Sequence, residues 1–437
     1  MTEAHVGRTG RRLTATVTDL EVARQKGFLI GVVLPGDDRE EARRSLDELA
    51  LLTETAGSDP IDSELVNRGH IDPATYIGSG KAAELAQITN ALDIDVVVFD
   101  NPLTPAQQRN LEKVFHCDVV DREAVILDIF AANATTRQGV LQVELALYRY
   151  NLPRLRGKGR ELSQQAGGIG AKRGPGETKL ETDRRRIQAR ITRLTRELEE
   201  LNQVLETQRK ARKRKAVPHV ALVGYTNAGK STLLNRLTDA EVLAQDRLFS
   251  TLDPTVRKLD LEGGPKAVIS DTVGFVRKLP HHLVEAFRST LIEVQEADLL
   301  LHVVDASDVD PQGQIAAVRE VLAEIDAHEI PELLVFNKID IADEVAVGRL
   351  RALYPDALFI SAQEGDGISE LRSAIVDALA QQTTLLHLSI PYDRGDVVAS
   401  AYRLGEVVAV KHEDEGTLLD VRLPHHSVAA FAEFSTA

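Results

Sequence analysis

The stretch HVALVGYTNAGKSTLLNRL, residues 219–237, decides the fold of the central part of this chain. The apolar run HVALV is typical of a buried strand, and STLLNRL has the apolar spacing of a helix. Between them, GYTNAGKS at 224–231 fits the phosphate-loop pattern G-x-x-x-x-G-K-[ST] in the strand-loop-helix context that the pattern requires. The stretch therefore predicts a phosphate-binding loop within an α/β domain.

The residue types of this loop each suit phosphate binding. Gly224 and Gly229 allow the backbone to turn its N–H groups toward phosphate oxygens, and the helix N-terminus adds partial positive charge. Lys230 is expected to reach the outer phosphates, and the Ser231 hydroxyl is expected to ligate Mg²⁺. The predicted nucleotide contacts of the loop are Gly224, Tyr225, Thr226, Asn227, Ala228, Gly229, Lys230 and Ser231.

Two short motifs further along have the order and chemistry of nucleotide switches. FSTLDPT at 249–255 offers Thr251, whose hydroxyl would complete the Mg²⁺ shell only when a γ-phosphate is present. DTVGF at 271–275 offers Asp271 to hold the metal through water and the Gly274 N–H to sense the γ-phosphate. We expect Lys230, Thr251 and Gly274 to act in catalysis. The predicted switch contacts are Phe249, Ser250, Thr251, Leu252, Asp253, Asp271, Thr272, Val273 and Gly274.

Two further motifs predict recognition of guanine. NKID at 337–340 ends an apolar strand, and the Asp340 carboxylate can accept two donors from the guanine edge that adenine does not supply in that pattern. SAQ at 361–363 would present backbone N–H groups to the guanine oxygen. GTP is therefore favoured over ATP. The predicted base contacts are Asn337, Lys338, Ile339, Asp340, Ser361, Ala362 and Gln363.

Phe275 stands next to the switch glycine, where many nucleotide switches carry a glutamine. Phenylalanine cannot orient water or offset charge by hydrogen bonding, so intrinsic turnover should be slow and a partner should supply the missing group. In the competing interpretation Phe275 only packs, and another residue of this chain orients the water.

Composition limits the class of protein. With 437 residues, two or three domains are expected, and no run of about 18 apolar residues could span a bilayer. The N-terminus lacks a secretory pattern, which predicts a cytosolic protein. Cys117 is the only cysteine, so no internal disulfide can form. The net charge of −15 conceals a basic segment, because residues 152–215 carry 19 Lys and Arg against 8 Asp and Glu.

That basic segment predicts a helical hairpin with a glycine-rich tip. Residues 157–178 hold seven glycines and few apolar side chains, which predicts a mobile loop. Next, a heptad seam runs about 25 residues and needs a partner, for which we expect the helix at 140–150 folding back. Coiled-coil dimerisation stays open as an alternative. The seam consists of Leu180, Ile187, Ile191, Leu194, Leu198, Leu201 and Leu205.

The whole chain is expected to be α/β. Strands alternate with helices from Phe28 onward, which implies a parallel sheet, and the tail after Thr384 indicates short strands with at least one helix. The expected segments are a flexible N-terminal segment at 1–27, a parallel α/β domain at 28–138, the helical hairpin at 139–215, a P-loop GTPase domain with a parallel-rich sheet flanked by helices at 216–383, and a small α+β C-terminal domain at 384–437.

Taken together, the motifs resemble the HflX family of ribosome-associated GTPases. The resemblance covers roughly residues 28–382 and is most specific where RGPGETKLETDRR is combined with FSTLDPT. The segments that carry it are GGIG and RGPGETKLETDRRR within 167–186, GYTNAGKST at 224–232, FSTLDPT at 249–255, DTVGF at 271–275 and NKID at 337–340.

The resemblance implies an Mg²⁺-dependent GTPase that binds the large ribosomal subunit and its rRNA and splits or rescues stalled or inactive ribosomes. Family members push the basic hairpin toward the peptidyl-transferase region, and the ribosome would supply the partner that Phe275 requires. Neither DNA binding nor a transmembrane segment is expected, and a monomer is favoured over a dimer. The RNA-contacting candidates are Lys158, Arg160, Lys172, Arg173, Gly174, Arg184, Arg185 and Arg186.

Two rival functions stay open. The first is an RNA-remodelling ATPase acting on rRNA through the N-terminal domain, where YIGSGKAAEL at 76–85 suggests a phosphate loop but lacks the four-residue gap of the motif. A plain turn is the favoured interpretation of that stretch. The second rival is a scaffold in which the nucleotide is only structural.

Overall fold

The computed structural model describes residues 24–155, 179–213, 217–238, 248–249, 251, 255–261, 266–278, 280, 283, 288–413 and 415–436. The expected glycine loop at 157–178 and most of the N-terminal segment at 1–27 lie outside these residues. The chain forms two compact units. The first unit comprises Met1–Leu198, Arg247–Phe249 and Arg277–Ala286, and the second comprises Glu199–Asp246, Ser250–Val276 and Phe287–Ala437.

The first unit is built on a four-stranded parallel sheet in the order β2-β1-β3-β4. Its strands are β1 (Gln25–Val33), β2 (Ser58–Asn67), β3 (Val96–Phe99) and β4 (Asp118–Asp121). Strand β2 was not predicted, because its sequence SDPIDSELVN contains Pro60 and several acidic residues and shows no apolar run. Its position at the edge of the sheet explains this composition, since an edge strand is only partly buried.

Five helices of the first unit confirm the expected alternation with the strands, and side chains at their N-termini fix where several of them begin. Asp38 accepts a hydrogen bond from the Glu40 N–H, and Thr104 forms a capping box with Gln107. The helices are α1 (Arg39–Thr55), α2 (Ser79–Ala91), α3 (Pro105–Phe115), α4 (Arg122–Asn133) and α5 (Arg137–Asn151).

Helix α6 (Lys179–Lys213) pairs with α5 as the hairpin interpretation predicted. Arg190 on α6 makes two hydrogen bonds to the Glu144 carboxylate on α5, at 2.9 and 2.8 Å. Further along α6, Arg193 and, more weakly, Arg137 of α5 lower the pKa of Glu197. Residue numbers fall on one helix as they rise on the other, so the two helices are antiparallel.

The second unit contains a six-stranded sheet in the order β10-β9-β8-β5-β7-β6. All neighbouring pairs are parallel except β6 with β7. Its strands are β5 (His219–Gly224), β6 (Thr255–Leu259), β7 (Ala267–Asp271), β8 (Leu299–Asp305), β9 (Glu332–Asn337) and β10 (Leu358–Phe359). The helices of this part are α7 (Lys230–Thr238), α8 (Arg288–Gln295), α9 (Pro311–Glu324), α10 (Glu344–Leu353) and α11 (Ile368–Gln381).

A three-stranded antiparallel sheet completes the second unit and confirms the expected α+β tail. Its order is β11-β13-β12, and its buried face packs around Leu388, Leu419 and Phe431. The elements are β11 (Thr383–Pro391), α12 (Gly395–Leu404), β12 (Glu406–Glu413), β13 (Gly416–Pro424) and α13 (His425–Val428). Among the helices described throughout the chain, none is both long and apolar enough to cross a membrane.

Candidate functional site

The phosphate loop connects β5 to α7. Two of its glycines have a backbone conformation and close neighbours that leave no room for a side chain. Gly224 has φ +152°, and a Cβ atom there would lie 2.1 Å from the Val303 carbonyl oxygen. Gly229 has φ +90°, and its Cβ would lie 2.2 Å from Nδ2 of Asn337. Both contacts are shorter than side chains tolerate, so neighbouring residues as well as backbone conformation require glycine here.

Lys230 begins α7 and folds back over the loop. Its Nζ donates to the Gly224 carbonyl at 3.1 Å and to the Tyr225 carbonyl at 2.7 Å. Burial lowers the pKa of Lys230 to about 8, and the nearby Asp271 carboxylate opposes that shift. The ammonium group is thus held by carbonyl groups of the phosphate loop. Its charge is poorly solvated there because the side chain is buried.

The three predicted metal-site residues are brought together. The Ser231 hydroxyl donates to Oδ2 of Asp271 at 2.6 Å, and the Thr251 hydroxyl lies 3.1 Å from the same oxygen. The two hydroxyl oxygens are 2.9 Å apart. Oδ1 of Asp271 is buried without a hydrogen-bond partner, and burial raises the pKa of this carboxyl despite the Lys230 charge. One carboxylate and two hydroxyls are the hard oxygen donors that Mg²⁺ prefers, so these residues fit the ion.

Phe275 is a packing residue in this structure. Its side chain is 1% exposed, its N–H donates to the Gly224 carbonyl at 3.2 Å, and its carbonyl accepts from the Thr226 N–H at 2.8 Å. The preceding Gly274 lies so close to the phosphate loop that a Cβ would be 2.8 Å from Cγ2 of Thr226. The ring therefore belongs to the core beneath the loop and cannot orient water.

Two threonine hydroxyls near the phosphate loop differ in how they are satisfied. Thr272 is buried, and its hydroxyl donates to the Leu222 carbonyl at 2.6 Å. Thr226 is also buried, but its Oγ1 atom has no hydrogen-bond partner. A buried hydroxyl without a partner costs stability, so its presence calls for an explanation, such as a ligand that binds there.

Asn337 links the base-side motif to the phosphate loop. Its Nδ2 donates to the Ala228 carbonyl at 2.9 Å, and its Oδ1 accepts from the Ala362 N–H at 2.9 Å. Sequence reasoning assigned this asparagine to the nucleotide and missed its role as a connector. The signal that could have indicated it was a polar residue at the end of an otherwise apolar strand.

The remaining predicted base contacts lie near Asn337 in the NKID and SAQ motifs. Lys338 has φ +66°, and its Nζ pairs with Asp305 at 2.6 Å. The Ile339 N–H donates to the Ile360 carbonyl at 3.3 Å. Asp340 is exposed, as a carboxylate that must meet a ligand should be, whereas Ser361 is fully buried. The NKID and SAQ motifs are thereby joined through β9, β10 and the Asn337 side chain.

Phe249, one of the predicted switch contacts, packs against a neighbouring aromatic ring. It belongs to the first unit, where its ring contacts the Phe130 ring at a centroid distance of 4.7 Å and its carbonyl accepts from Nδ2 of Asn133. The aromatic ring is 2% exposed and is part of the core. The predicted contacts Ser250, Leu252 and Asp253 lie outside the described residues.

Of the predicted RNA contacts, the structure describes the three arginines on α6. Arg185 and Arg186 are exposed, Arg184 is half-buried, and Arg186 pairs with Asp183 at 3.7 Å. The other candidates fall outside the described part of the chain: Lys158, Arg160, Lys172, Arg173 and Gly174.

The suspected second phosphate loop at 76–85 is a turn into α2. Gly78 has φ +84°, and Nζ of Lys81 pairs with Glu84 at 2.8 Å and with Glu64 at 3.1 Å. Two carboxylates thus neutralise the lysine that a phosphate would need, which supports the plain-turn interpretation.

Comparison with known proteins places these features in one family. Residues 43–131 match the family described as GTP-binding GTPase N-terminal, residues 133–212 match GTP-binding GTPase Middle Region, and residues 219–338 match 50S ribosome-binding GTPase. A GTPase HflX from Lacrimispora saccharolytica is 45% identical over 94% of this chain and 96% of its own length.

Two further similar proteins are a curated relative and a solved structure. A GTPase HflX from Escherichia coli (strain K12) is 45% identical over 88% of this chain and 91% of its own length. The crystal structure of a GTP-binding protein from Sulfolobus solfataricus in complex with GDP covers 82% of this chain and 99% of its own length, at 24% identity and a TM-score of 0.42. The phosphate loop, the Asp271 cluster and the guanine motifs thus lie in a GTP-hydrolysing enzyme, and the chain belongs to the HflX family of GTPases.

Proposed function

We propose that this GTPase binds the large ribosomal subunit through residues 28–215 and uses its GTP state to split or rescue stalled or inactive ribosomes. The observation that carries the proposal is the meeting of Lys230, Ser231 and Asp271 at the phosphate loop of a chain whose residues 219–338 match a 50S ribosome-binding GTPase family. The antiparallel α5–α6 pair supports it, because it provides an arm for the basic segment.

Magnesium is the cofactor that the site favours. Ser231 and Thr251 would hold the ion directly and Asp271 would hold it through water, as the 2.6 and 3.1 Å contacts of the two hydroxyls with the carboxylate suggest. When bound, Mg²⁺ offsets negative charge on the transferring phosphoryl group. Lys230 would contribute a second positive charge from its position over the loop.

Phe275 cannot orient the water that attacks GTP in the isolated chain. The attacking water must be oriented, and the buried ring supplies no hydrogen bond for that purpose. We propose that the ribosome completes this step, either with a group of its own or by moving the switch residues. Turnover would then be slow in the free protein and fast on its target, which keeps GTP intact until the subunit is engaged.

Contacts to rRNA would come from the basic hairpin. Arg185 and Arg186 project from α6 into solvent and can pair with phosphates of folded RNA. Such contacts release counterions, so affinity for the subunit should fall steeply as salt rises. The antiparallel helix pair would hold these arginines at a fixed spacing.

The proposal is tested by sedimentation of intact ribosomes mixed with the full chain. Subunits should separate with GTP and not with GDP, and Lys230→Ala should abolish the GTP-dependent fraction. As a matched control, Lys26→Ala removes an exposed lysine paired with Asp93 and should leave separation unchanged. Full activity of Lys230→Ala would instead support the scaffold interpretation, and separation driven equally by ATP would support the RNA-remodelling ATPase.

A further inference from the structure

Arg236 donates hydrogen bonds to the SAQ loop at 361–363, which is expected to recognise guanine. This residue lies on α7, the short helix that begins at Lys230. Its Nε donates to the Ala362 carbonyl at 3.1 Å, and its Nη2 donates to the Gln363 carbonyl. One side chain therefore joins the phosphate-binding helix to the SAQ motif, a connection that the sequence pattern did not reveal.

The backbone donors of that loop are almost all in use. The Ser361 N–H donates to Asp366, the Ala362 N–H to Asn337, and the N–H groups of Glu364 and Gly365 to Ser361. Among residues 361–365, all of them described, only the Gln363 N–H has no hydrogen-bond partner. Gln363 is also exposed, so this donor is available to a ligand.

Geometry connects the Arg236 contact to this donor. The Ala362 carbonyl and the Gln363 N–H belong to the same peptide unit, and no described peptide bond is cis. In a trans peptide the C=O and N–H point in opposite directions. Because Arg236 holds the carbonyl toward α7, the N–H must point away from that helix. The guanidinium charge also strengthens the donor by polarising the peptide.

We propose that the Gln363 N–H is the hydrogen-bond donor to the guanine O6 atom and that Arg236 is its positioning residue. The assignment rests on the proposed guanine contacts of residues 361–363 and narrows them to one donor. It also implies that the Ala362 N–H serves Asn337 rather than the base. Arg236 acts without touching the nucleotide, through the orientation of one peptide plane.

The test compares two diphosphates on the full chain. GDP carries O6, whereas 2-aminopurine riboside 5′-diphosphate keeps the 2-amino group that Asp340 would read and lacks O6. Arg236→Ala should lower the affinity for GDP about tenfold, which is the loss expected for one hydrogen bond. The affinity for the 2-aminopurine nucleotide should not change. Arg236→Lys, which can reach one of the two carbonyls, should restore part of the GDP affinity.

Arg372→Ala is the matched control. Arg372 lies on α11 and donates to the Leu237, Asp260 and Arg236 carbonyls, so its loss loosens the same C-terminal end of α7 without removing a contact to SAQ. It should leave the ratio of the two dissociation constants unchanged. If Arg236→Ala weakened both nucleotides equally, or neither, the assignment would be overturned. If the wild-type chain did not prefer GDP over the 2-aminopurine nucleotide, the guanine site itself would be refuted.

Discussion

Phe275 donates its N–H to the Gly224 carbonyl at 3.2 Å, which ties the switch residue to the first glycine of the phosphate loop. Its ring lies in the core at 1% exposure. The position that holds a water-orienting glutamine in many switches is thus a structural position here. That arrangement has a direct mutational consequence.

Phe275→Gln should not create a faster enzyme. A glutamine would bury an amide at a position that is 1% exposed, so we expect a loss of about 3 kcal/mol in unfolding free energy and no gain in hydrolysis. Phe275→Leu, which stays apolar, should cost less than about 1.5 kcal/mol. Urea unfolding and single-turnover GTP hydrolysis measure both effects. A glutamine variant that is stable and clearly faster would contradict the packing role.

Thr226 and Thr272 form a matched pair for testing the cost of a buried hydroxyl. Thr226→Val removes an Oγ1 atom that has no partner and should raise the stability of the nucleotide-free protein by about 1 kcal/mol. Thr272→Val breaks the bond to Leu222 and should lower stability by about 1–3 kcal/mol. Thermal unfolding without nucleotide provides the measurement. Equal effects of the two substitutions would show that the hydroxyl environments do not differ.

Asp340 decides the choice of base in our account. Asp340→Asn exchanges an acceptor for a donor, so GTP affinity should fall by at least about tenfold while affinity for xanthosine triphosphate rises. Competition binding measures the exchange. Asp356→Asn, a change at another exposed carboxylate of the second unit, should alter neither value. Undiminished GTP preference in Asp340→Asn would remove the basis for guanine recognition by NKID.

A buried ion cluster in the first unit predicts a pH dependence of stability. Asp100 accepts from Arg122 at 2.6 Å, from Lys278 at 2.7 Å and from the Ser45 hydroxyl at 2.8 Å. Burial raises the Asp100 pKa, but the charges of Arg122 and Lys278 outweigh it, so the pKa lies below its usual range. The carboxylate therefore stabilises the fold above its unfolded pKa, and this contribution is lost as pH falls through the lower folded value.

Asp100→Asn should accordingly cost about 3–5 kcal/mol at pH 7, because the buried Arg122 loses its 2.6 Å ion pair and keeps the longer 3.6 Å contact with Glu48. The deficit should stay constant down to about pH 5 and shrink below about pH 4, where the wild-type carboxyl also protonates. Asp93→Asn, at an exposed pair with Lys26, should change stability by less than about 0.5 kcal/mol. Urea midpoints across this pH range would contradict the cluster's role if the Asp100→Asn deficit did not depend on pH.

Elements with strong local signals were predictable from sequence. The apolar periodicity and the cap residue Asp38 indicate a helix start at Arg39, and Thr104 followed by Pro105 indicates the start of α3. Strand β2 escaped prediction because an edge strand needs no apolar run. Its pairing with β1 is a long-range contact that local patterns do not encode.

In the candidate site, too, residues of contiguous motifs were predictable and long-range contacts were not. Phosphate-loop residues were identified because their spacing is a contiguous motif. The Arg236 contact with Ala362 joins residues 126 positions apart, and the Phe249 ring packs against Phe130 across a comparable separation. Such contacts depend on tertiary packing, so a motif at one position cannot reveal its partner at another.

The most direct test of the central claim is the rate of GTP turnover by the full chain with and without large ribosomal subunits, at two salt concentrations. We predict slow turnover alone and stimulation by the subunit of at least about 10³-fold, the lower end for a completed GTPase site. The stimulation at limiting subunit should weaken as salt rises. Turnover that is already fast in the free protein, and unchanged by subunits at either salt concentration, would contradict the account.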